Sequence, residues 1–277
     1  MDLLNKFMVD GLSEKGKSPK TIRSYFYSLS NFEKWLKGVD TDLSNFARSD
    51  VQQYIDELTA NKKSAATINA YYAAIRALAK YLNKPEAVED IRIVKAPKIM
   101  SEAPIALDKK ERHKIRREID RTGNKRNIAI FMTLLYTGIR ISELVALDKS
   151  DIEVSERKGN LYVRNGKGNK SRTIPLHPEA RRAIRQYLEE RTDNDPALFL
   201  STHKKRISVR SVQSLCEKYD IHPHKFRHTF VTDLVDAGVD DETIRTLTGH
   251  EHVAMIARYR SVRQEDKEAA INKLFID

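Results

Sequence analysis

The sequence predicts a mostly α-helical chain of two domains with one small antiparallel β-sheet. Three observations carry that expectation. The first hundred residues hold apolar side chains at helical spacing, with Ile22, Tyr25, Leu29, Phe32 and Leu36 on one stripe of a 3.6-residue repeat. The stretch 91–104 then carries two prolines and no stripe, so it reads as extended. Beyond it, helical patterns alternate with short strand-like runs, two of which flank the turn Gly166-Lys167-Gly168-Asn169. The expected division is a helical domain at 1–84, a linker at 85–104 and a mixed domain at 105–277.

The helical domain opens with a helix at about 2–12. Ser18 followed by Pro19 is an N-cap with proline at the first helical position, and that helix runs to about 37. Helices at about 48–61 and 64–82 complete the unit. The second and fourth helices repeat at an offset of 46: Ser18, Thr21, Ile22, Tyr25, Leu29, Trp35 and Leu36 fall on Ser64, Thr67, Ile68, Tyr71, Ile75, Tyr81 and Leu82. In the second domain helices are expected at about 108–122, 125–137, 178–191, 208–219, 224–237, 241–248 and 264–275, and strands at about 150–154, 160–165 and 170–175.

The 277 residues carry 50 Lys and Arg against 39 Asp and Glu, a net charge of +11. Residues 1–100 hold 16 basic against 12 acidic groups, and the remainder 34 against 27. Such a chain attracts polyanions, nucleic acid above all. With 40% hydrophobic and 32% charged residues the composition is that of a globular protein, neither disordered nor fibrous. The single cysteine, Cys216, excludes a disulfide framework and a thiolate zinc site within one chain, and a reducing cytoplasm is the expected compartment. The opening MDLLNKFMVDGL lacks a basic-then-apolar secretory pattern, and no apolar run reaches about 18 residues. In the helical unit, Arg23, Arg76 and Lys80 beside tyrosines are candidate DNA contacts, while Tyr25 and Tyr71 serve either the core or DNA.

Breaking a phosphodiester without a metal needs an in-line nucleophile, cations on the non-bridging oxygens and an acid for the leaving oxygen. Candidates for each are present. Arg140 in TGIRISELVAL either points at an anion or merely pairs with Glu143, three residues on. His224 and Arg227, three apart in HPHKFRHTF, share one face of a helix. His222 and His224 have no third metal ligand nearby, so no metal site is expected. His250 follows Gly249, which reads as a helix C-cap. Tyr259 lies between Arg258 and Arg260, whose charge favours phenolate. Lys167 sits on the hairpin turn, with Lys170 and Arg172 just after it.

Each of these is weak alone, but their order is not. The strings TGIRISELVAL, GKGNKSRTIPL, HPHKFRHTF and TGHEHVAMIARY resemble, in order and spacing, the motif boxes of the tyrosine recombinase (phage integrase) family. The likeness extends over nearly the whole chain and, in layout, is nearest to Xer-type and transposon or plasmid resolvase members. It implies a C-shaped, two-domain DNA clamp in which Arg140 and Arg227 hold the scissile phosphate. His224 and His250 would stabilise charge or shuttle protons, Lys167 would be the general acid, Glu143 a support and Tyr259 the nucleophile. Lys170, Arg172 and Lys225 join the candidate DNA contacts. One departure is visible: Thr248 stands where members often have Leu before Gly-His.

The resemblance further implies a 3′-phosphotyrosine intermediate and a Holliday junction. It implies no requirement for ATP, metal or another cofactor. A homotetramer on two DNA sites, with the C-terminal helix exchanged between protomers, is expected, as are accessory proteins and an absence of membrane association. The chain is expected to begin directly with the helical domain. Two rivals stay open at this point: relaxation of supercoils in the manner of a type IB topoisomerase, and non-catalytic DNA binding.

Overall fold

The computed structural model describes residues 2–93, 105–164 and 171–260. The chain divides into two compact units, residues 1–99 and 100–277.

The first unit is helical. Helix α1 (Leu3–Lys6) continues as a π-helix over Phe7–Ser13, so the expected 2–12 helix is wider than an α-helix in its second half. The Phe7 ring lies where a Cβ on Gly11 would stand, 2.3 Å from it, so only glycine fits there. Helices α2 (Pro19–Lys37), α3 (Arg48–Ala60) and α4 (Ala65–Tyr81) follow. The internal repeat is visible down to its caps: Ser18 and Ser64 share the same backbone angles, and each hydroxyl accepts from the N–H three residues on, both at 3.2 Å. Phe7, Leu29, Phe32, Leu36, Ile55 and Ile75 form the core, each contributing about 1.5–3 kcal/mol by burial. Tyr25 and Tyr71 pack against that core.

Residues 85–93 correct the expected linker. Pro85–Val88 is a 3₁₀ turn, and Tyr72 donates to the Val88 carbonyl at 2.6 Å. Arg48 donates to the carbonyls of Glu89 and Asp90, and Gln52 bonds the Arg92 backbone in both directions. Proline ends the helix, but these side chains satisfy the extended backbone that follows and tie it to the first unit.

The second unit is built around α6 (Lys125–Thr137), which packs against α5 (Lys109–Arg121) and α8 (Pro178–Glu189). Helices α9 (Val209–Glu217), α10 (Pro223–Asp236) and α11 (Asp241–Thr248) lie where the sequence places them. Strands β1 (Ile152–Val154), β2 (Gly159–Val163) and β3 (Arg172–Pro175) form one antiparallel sheet in that order, with Leu161 opposite both Ile152 and Ile174. Residues 150 and 151, expected to begin the first strand, instead belong to a 3₁₀ turn over Lys149–Asp151, where the Asp151 carboxylate takes the Asp148 N–H at 2.8 Å. Two short helices have no counterpart in the expectation, α7 (Ile141–Ala146) and α12 (Ala254–Ala257). Both are too short to carry a periodic stripe. The hairpin turn 166–169, Lys167, Lys170 and the expected helix 264–275 lie outside the described residues.

Candidate active site

All described candidates for catalysis lie in the second unit. Helix α6 ends at Gly138, whose φ of 59° is the left-handed conformation of a C-cap. A Cβ there would meet the Phe230 ring at 2.4 Å, so the turn demands glycine on two counts. The chain reverses through buried Ile139 and presents Arg140 as the N-cap of α7. The Glu143 carboxylate takes the Arg140 backbone N–H at 2.8 Å and its Nη1 at 3.0 Å. Arg140 Nη2 reaches across to the Gly249 carbonyl at 3.1 Å. Both sequence readings of Arg140 therefore have substance: it pairs with Glu143, and the pairing fixes where its guanidinium stands.

Arg172 corrects an expectation. Placed in sequence among the DNA contacts, it is instead buried: its side chain is 7% exposed and bound to Glu143 by both terminal nitrogens, at 3.1 and 2.8 Å. Its Nε donates to the Leu247 carbonyl at 2.9 Å. Burial alone would raise the Glu143 pKa, but Arg172 and Arg140 outweigh it and hold the carboxyl below its ordinary range. Lys225, also expected on DNA, is partly buried and ion-paired with Glu111 at 2.8 Å. Arg23, Arg76 and Lys80 are exposed on the first unit, with the Arg76 guanidinium over the Tyr72 ring.

Helix α10 begins at Pro223 and is capped by His222, whose Nδ1 accepts the His224 N–H at 3.3 Å. His224 is exposed and stacks on the His222 ring. Arg227 points inward, donating Nη1 to the Gly138 carbonyl at 2.8 Å. Its Nη2 is buried with no hydrogen-bond partner among the described residues. Burial, and then the charge of Arg140, push Arg227 down to about 10. A buried, charged donor without a partner is costly, and an anion is what relieves it.

Helix α11 ends at Gly249 in the left-handed region (φ 65°), as the sequence indicates. A Cβ at Gly249 would lie 2.9 Å from Arg172 Nη1, so glycine lets the arginine pass beneath. His250 is buried, its Nδ1 2.7 Å from the Thr248 hydroxyl. That hydroxyl spends its single proton on the Ile244 carbonyl at 2.6 Å. It can therefore only accept from His250, which fixes the neutral ring as the Nδ1–H tautomer. The departure at Thr248 thus has a structural role. Burial, followed by Arg227, Arg140 and Arg172, pushes His250 down to about 3.

Tyr259 follows α12 and is 9% exposed, in a small apolar cluster with Val231, Ile244 and Ile256. Its hydroxyl lies 2.7 Å from Nδ1 of His228, a contact the sequence reading did not anticipate. His228 stands next to Arg227 in the motif box, so adjacency was the one signal available. The expectation that both flanking arginines favour phenolate needs correcting. Burial holds the phenol above its ordinary pKa, although Arg227 and Arg258 pull it down. Arg260 turns away, to Asp241 at 2.8 Å and the Val239 carbonyl at 3.0 Å.

Among the described residues no cluster of three or more His, Cys, Asp or Glu is arranged to hold a metal, and no helix is long and apolar enough to cross a membrane. Two arginines, a buried histidine and a buried tyrosine thus share one electrostatic site, an arrangement suited to gripping a phosphate beside a nucleophile.

Comparison with known proteins identifies the family. Residues 106–266 match the phage integrase family and residues 4–85 its N-terminal SAM-like domain. Tyrosine recombinase XerA of Thermococcus kodakarensis is 32% identical, covering 95% of this chain and 92% of that protein. Tyrosine recombinase XerC of Caldanaerobacter subterraneus is 31% identical, covering 98% and 86%. In fold, the chain is similar to a XerH site-specific recombinase bound to its difH substrate in a pre-cleavage complex, with a TM-score of 0.72 at 19% identity over 97% of this chain and 83% of that one. It is also similar to the Tn1549 transposon integrase bound to circular intermediate DNA, with a TM-score of 0.73 at 18% identity over 97% of this chain and 98% of that one. From its motif boxes to its two units, the chain belongs to the phage integrase family of tyrosine recombinases, enzymes that cut and rejoin DNA.

Proposed function

We propose that this site-specific recombinase breaks duplex DNA by attack of Tyr259 on the scissile phosphate, leaving a 3′-phosphotyrosine bond and a free 5′ hydroxyl. Rejoining to a different 5′ end exchanges the strands, and two such exchanges pass through a Holliday junction. The observation that carries the reading is Arg227, which bears on Arg140 and His250 on one side and on buried Tyr259 on the other, with its Nη2 left unpartnered among the described residues. Paired guanidinium forks suit the non-bridging oxygens of a phosphate. Glu143 and Arg172 hold the clamp from behind. His224 lies within electrostatic reach of the site through His228. Lys167, in the β2–β3 connection, is the proposed acid for the 5′ oxygen. The phosphodiester energy is kept in the protein–DNA bond, so the cycle consumes no ATP.

Several proteins of similar fold were captured on DNA, among them a XerH recombinase on its difH substrate and a lambda integrase on a core site. For this chain we infer a clamp around duplex DNA, with Arg23, Arg76 and Lys80 of the helical unit on the backbone. Lys170 would add a further contact. Four protomers would pair two sites within the nucleoid, each lending its C-terminal segment to a neighbour and aided by accessory proteins.

The test selects a bound site from random-sequence DNA, then places two copies in one supercoiled plasmid. The expected products are deleted or inverted circles that require both sites. Relaxation of a plasmid with no site, and no recombinants, would instead mean a topoisomerase.

A further inference from the structure

We propose that the outward face of α5 is a second DNA-binding surface, which takes the sugar-phosphate backbone of duplex lying beyond the segment held at the active site. The proposal needs only that the chain acts on DNA, as its family does. It is independent of which residue attacks the phosphate.

Helix α5 divides its charges by face. It carries seven Lys and Arg against three Asp and Glu, and so supplies four of the seven net positive charges of residues 101–277. Ile115 and Ile119 are buried and anchor its inner side. Around them, Arg112 pairs with Asp233 at 2.6 Å, Arg116 with Glu179, and Glu111 with Lys225 at 2.8 Å. Those charges tie the helix to its unit. Lys110, Lys114, Arg117 and Arg121 are exposed instead, and among the described residues their side chains make no hydrogen bond or ion pair. Elsewhere in the unit, arginines such as Arg164, Arg191, Arg206, Arg245 and Arg260 are each held by a carboxylate.

The four free cations follow one another at steps of four, three and four residues, which keeps them on one stripe of the helix. Like charges at these steps repel and oppose the helix. Lys109 and Lys110 oppose it again, because they occupy its first two positions, where the macrodipole favours anions. The buried isoleucines and the Asp108–Glu111 capping box hold α5 against its own electrostatics. A surface arrangement that works against local stability marks a functional face. An anion laid along α5 relieves the repulsion.

Duplex DNA fits this face better than an acidic protein does. From Lys110 to Arg121 the stripe is about 16 Å long at 1.5 Å per residue. Each DNA strand presents a phosphate about every 3.4 Å along the duplex axis, so several phosphates come within its reach. Protein interfaces are depleted in lysine and centre on apolar side chains. Around the stripe α5 exposes Lys109, His113 and Asp120, and no apolar residue. Lysine is a compact point charge, suited to gripping a backbone without reading sequence. The charges that bear most on Arg227, His250 and Tyr259 come from other elements, so this surface is separate from the clamp.

The experiment measures binding to a site that the protein selects from random-sequence DNA. One duplex is trimmed to the shortest length that keeps the selected sequence. The other carries flanks of about 20 base pairs, two helical turns, on each side. For the unaltered chain the flanks should raise affinity about tenfold and steepen the fall of log K with log salt by about 0.9 for each phosphate neutralised. The variant with Lys110→Gln, Lys114→Gln, Arg117→Gln and Arg121→Gln should lose both gains, yet bind the trimmed duplex within about threefold of the unaltered chain. Lys110→Arg with Lys114→Arg keeps the charges and should keep both gains. The glutamine variant should unfold in urea at the same midpoint or a higher one, because repulsion has been removed.

Flanks that add nothing to the affinity of the unaltered chain overturn the proposal without recourse to any variant, and leave an acidic protein as the partner that the stripe fits. A flank effect that survives in the glutamine variant overturns it too. So does an equal loss on both duplexes, which would put the stripe on the recombination site itself, and so does a lower urea midpoint, which would make the cations structural. Binding alone is read, so a failure to trap DNA on Tyr259 would remove the nucleophile and leave this test as it stands.

Discussion

Arg172 grips Glu143 with both guanidinium nitrogens, at 3.1 and 2.8 Å, while the same carboxylate holds the Arg140 backbone N–H and Nη1. One buried anion thus sets the position of Arg140 and is itself set by a second arginine from β3. The arrangement explains why a strand and the start of a short helix, 29 residues apart in sequence, meet at the site.

Arg172→Met should leave Glu143 buried with half its partners. Breaking a buried ion pair costs about 3–5 kcal/mol. Urea unfolding of the variant is expected to lose stability in that range. Arg210→Met, which removes an exposed pair with Glu217, should change it by less than about 1 kcal/mol. Equal losses in the two variants would contradict the structural role of Arg172.

Arg140→Lys keeps the charge but gives up the fork that spans Glu143 and the Gly249 carbonyl. Cleavage at saturating protein should fall about 10²- to 10³-fold, the usual effect of losing one preorganised donor, with site affinity little changed. A rate within about threefold of the unaltered chain would reduce Arg140 to a structural partner of Glu143.

How far the site was legible follows from what carried each residue. Arg140, His250, Tyr259 and the Ser18 and Ser64 caps sit in local patterns whose spacing survives without coordinates. Arg172 did not, because its burial depends on Gly249 leaving room and on a carboxylate distant in sequence. His228 was hidden for a similar reason: its partner lies 31 residues downstream. The π-helix at 7–13 and the short helices α7 and α12 were missed because packing, not periodicity, decides them. The linker ran too long because side chains of α3 and α4, not local sequence, satisfy residues 88–92.

Thr248→Val keeps the shape of the side chain but deletes the acceptor for the His250 Nδ1–H. A buried donor left unpaired costs about 1–3 kcal/mol. Cleavage should slow about tenfold or more, and ¹⁵N NMR should find the His250 proton redistributed between its nitrogens. An unchanged tautomer together with an unchanged rate would contradict the assignment.

Stability should fall with acid sooner than carboxylates alone would dictate. His250 is pushed down to about 3 and His228 to about 4, against an ordinary 6.5, so the unfolded chain takes up these protons first. Their contribution is neutral above about pH 7 and increasingly unfavourable as pH drops through 6.5 toward 4. Glu143, held low, adds its own loss only below its ordinary value of 4.5. Between pH 7.5 and 5 the His250 share is roughly 1–2 kcal/mol. Urea midpoints should drop over this interval, and drop less in His250→Gln. A midpoint that holds or rises would contradict the buried, neutral histidines.

Lys167 is testable by chemistry. If it protonates the 5′ oxygen, a 5′-bridging sulfur needs no acid, because a thiolate leaves unprotonated. Lys167→Ala should then be slow on ordinary DNA and nearly normal on the sulfur substrate. Equal defects on both would leave the lysine a role in binding only.

Formation of the covalent bond to DNA by Tyr259 is open to direct measurement. It is tested most directly by trapping the protein on a nicked suicide duplex, digesting with protease and sequencing the nucleotide-bearing peptide by mass spectrometry. A single adduct is expected, on Tyr259 through a 3′ phosphate, absent from Tyr259→Phe although that variant still binds the duplex. An adduct on any other residue, or one that persists near the unaltered level in Tyr259→Phe, would contradict that expectation.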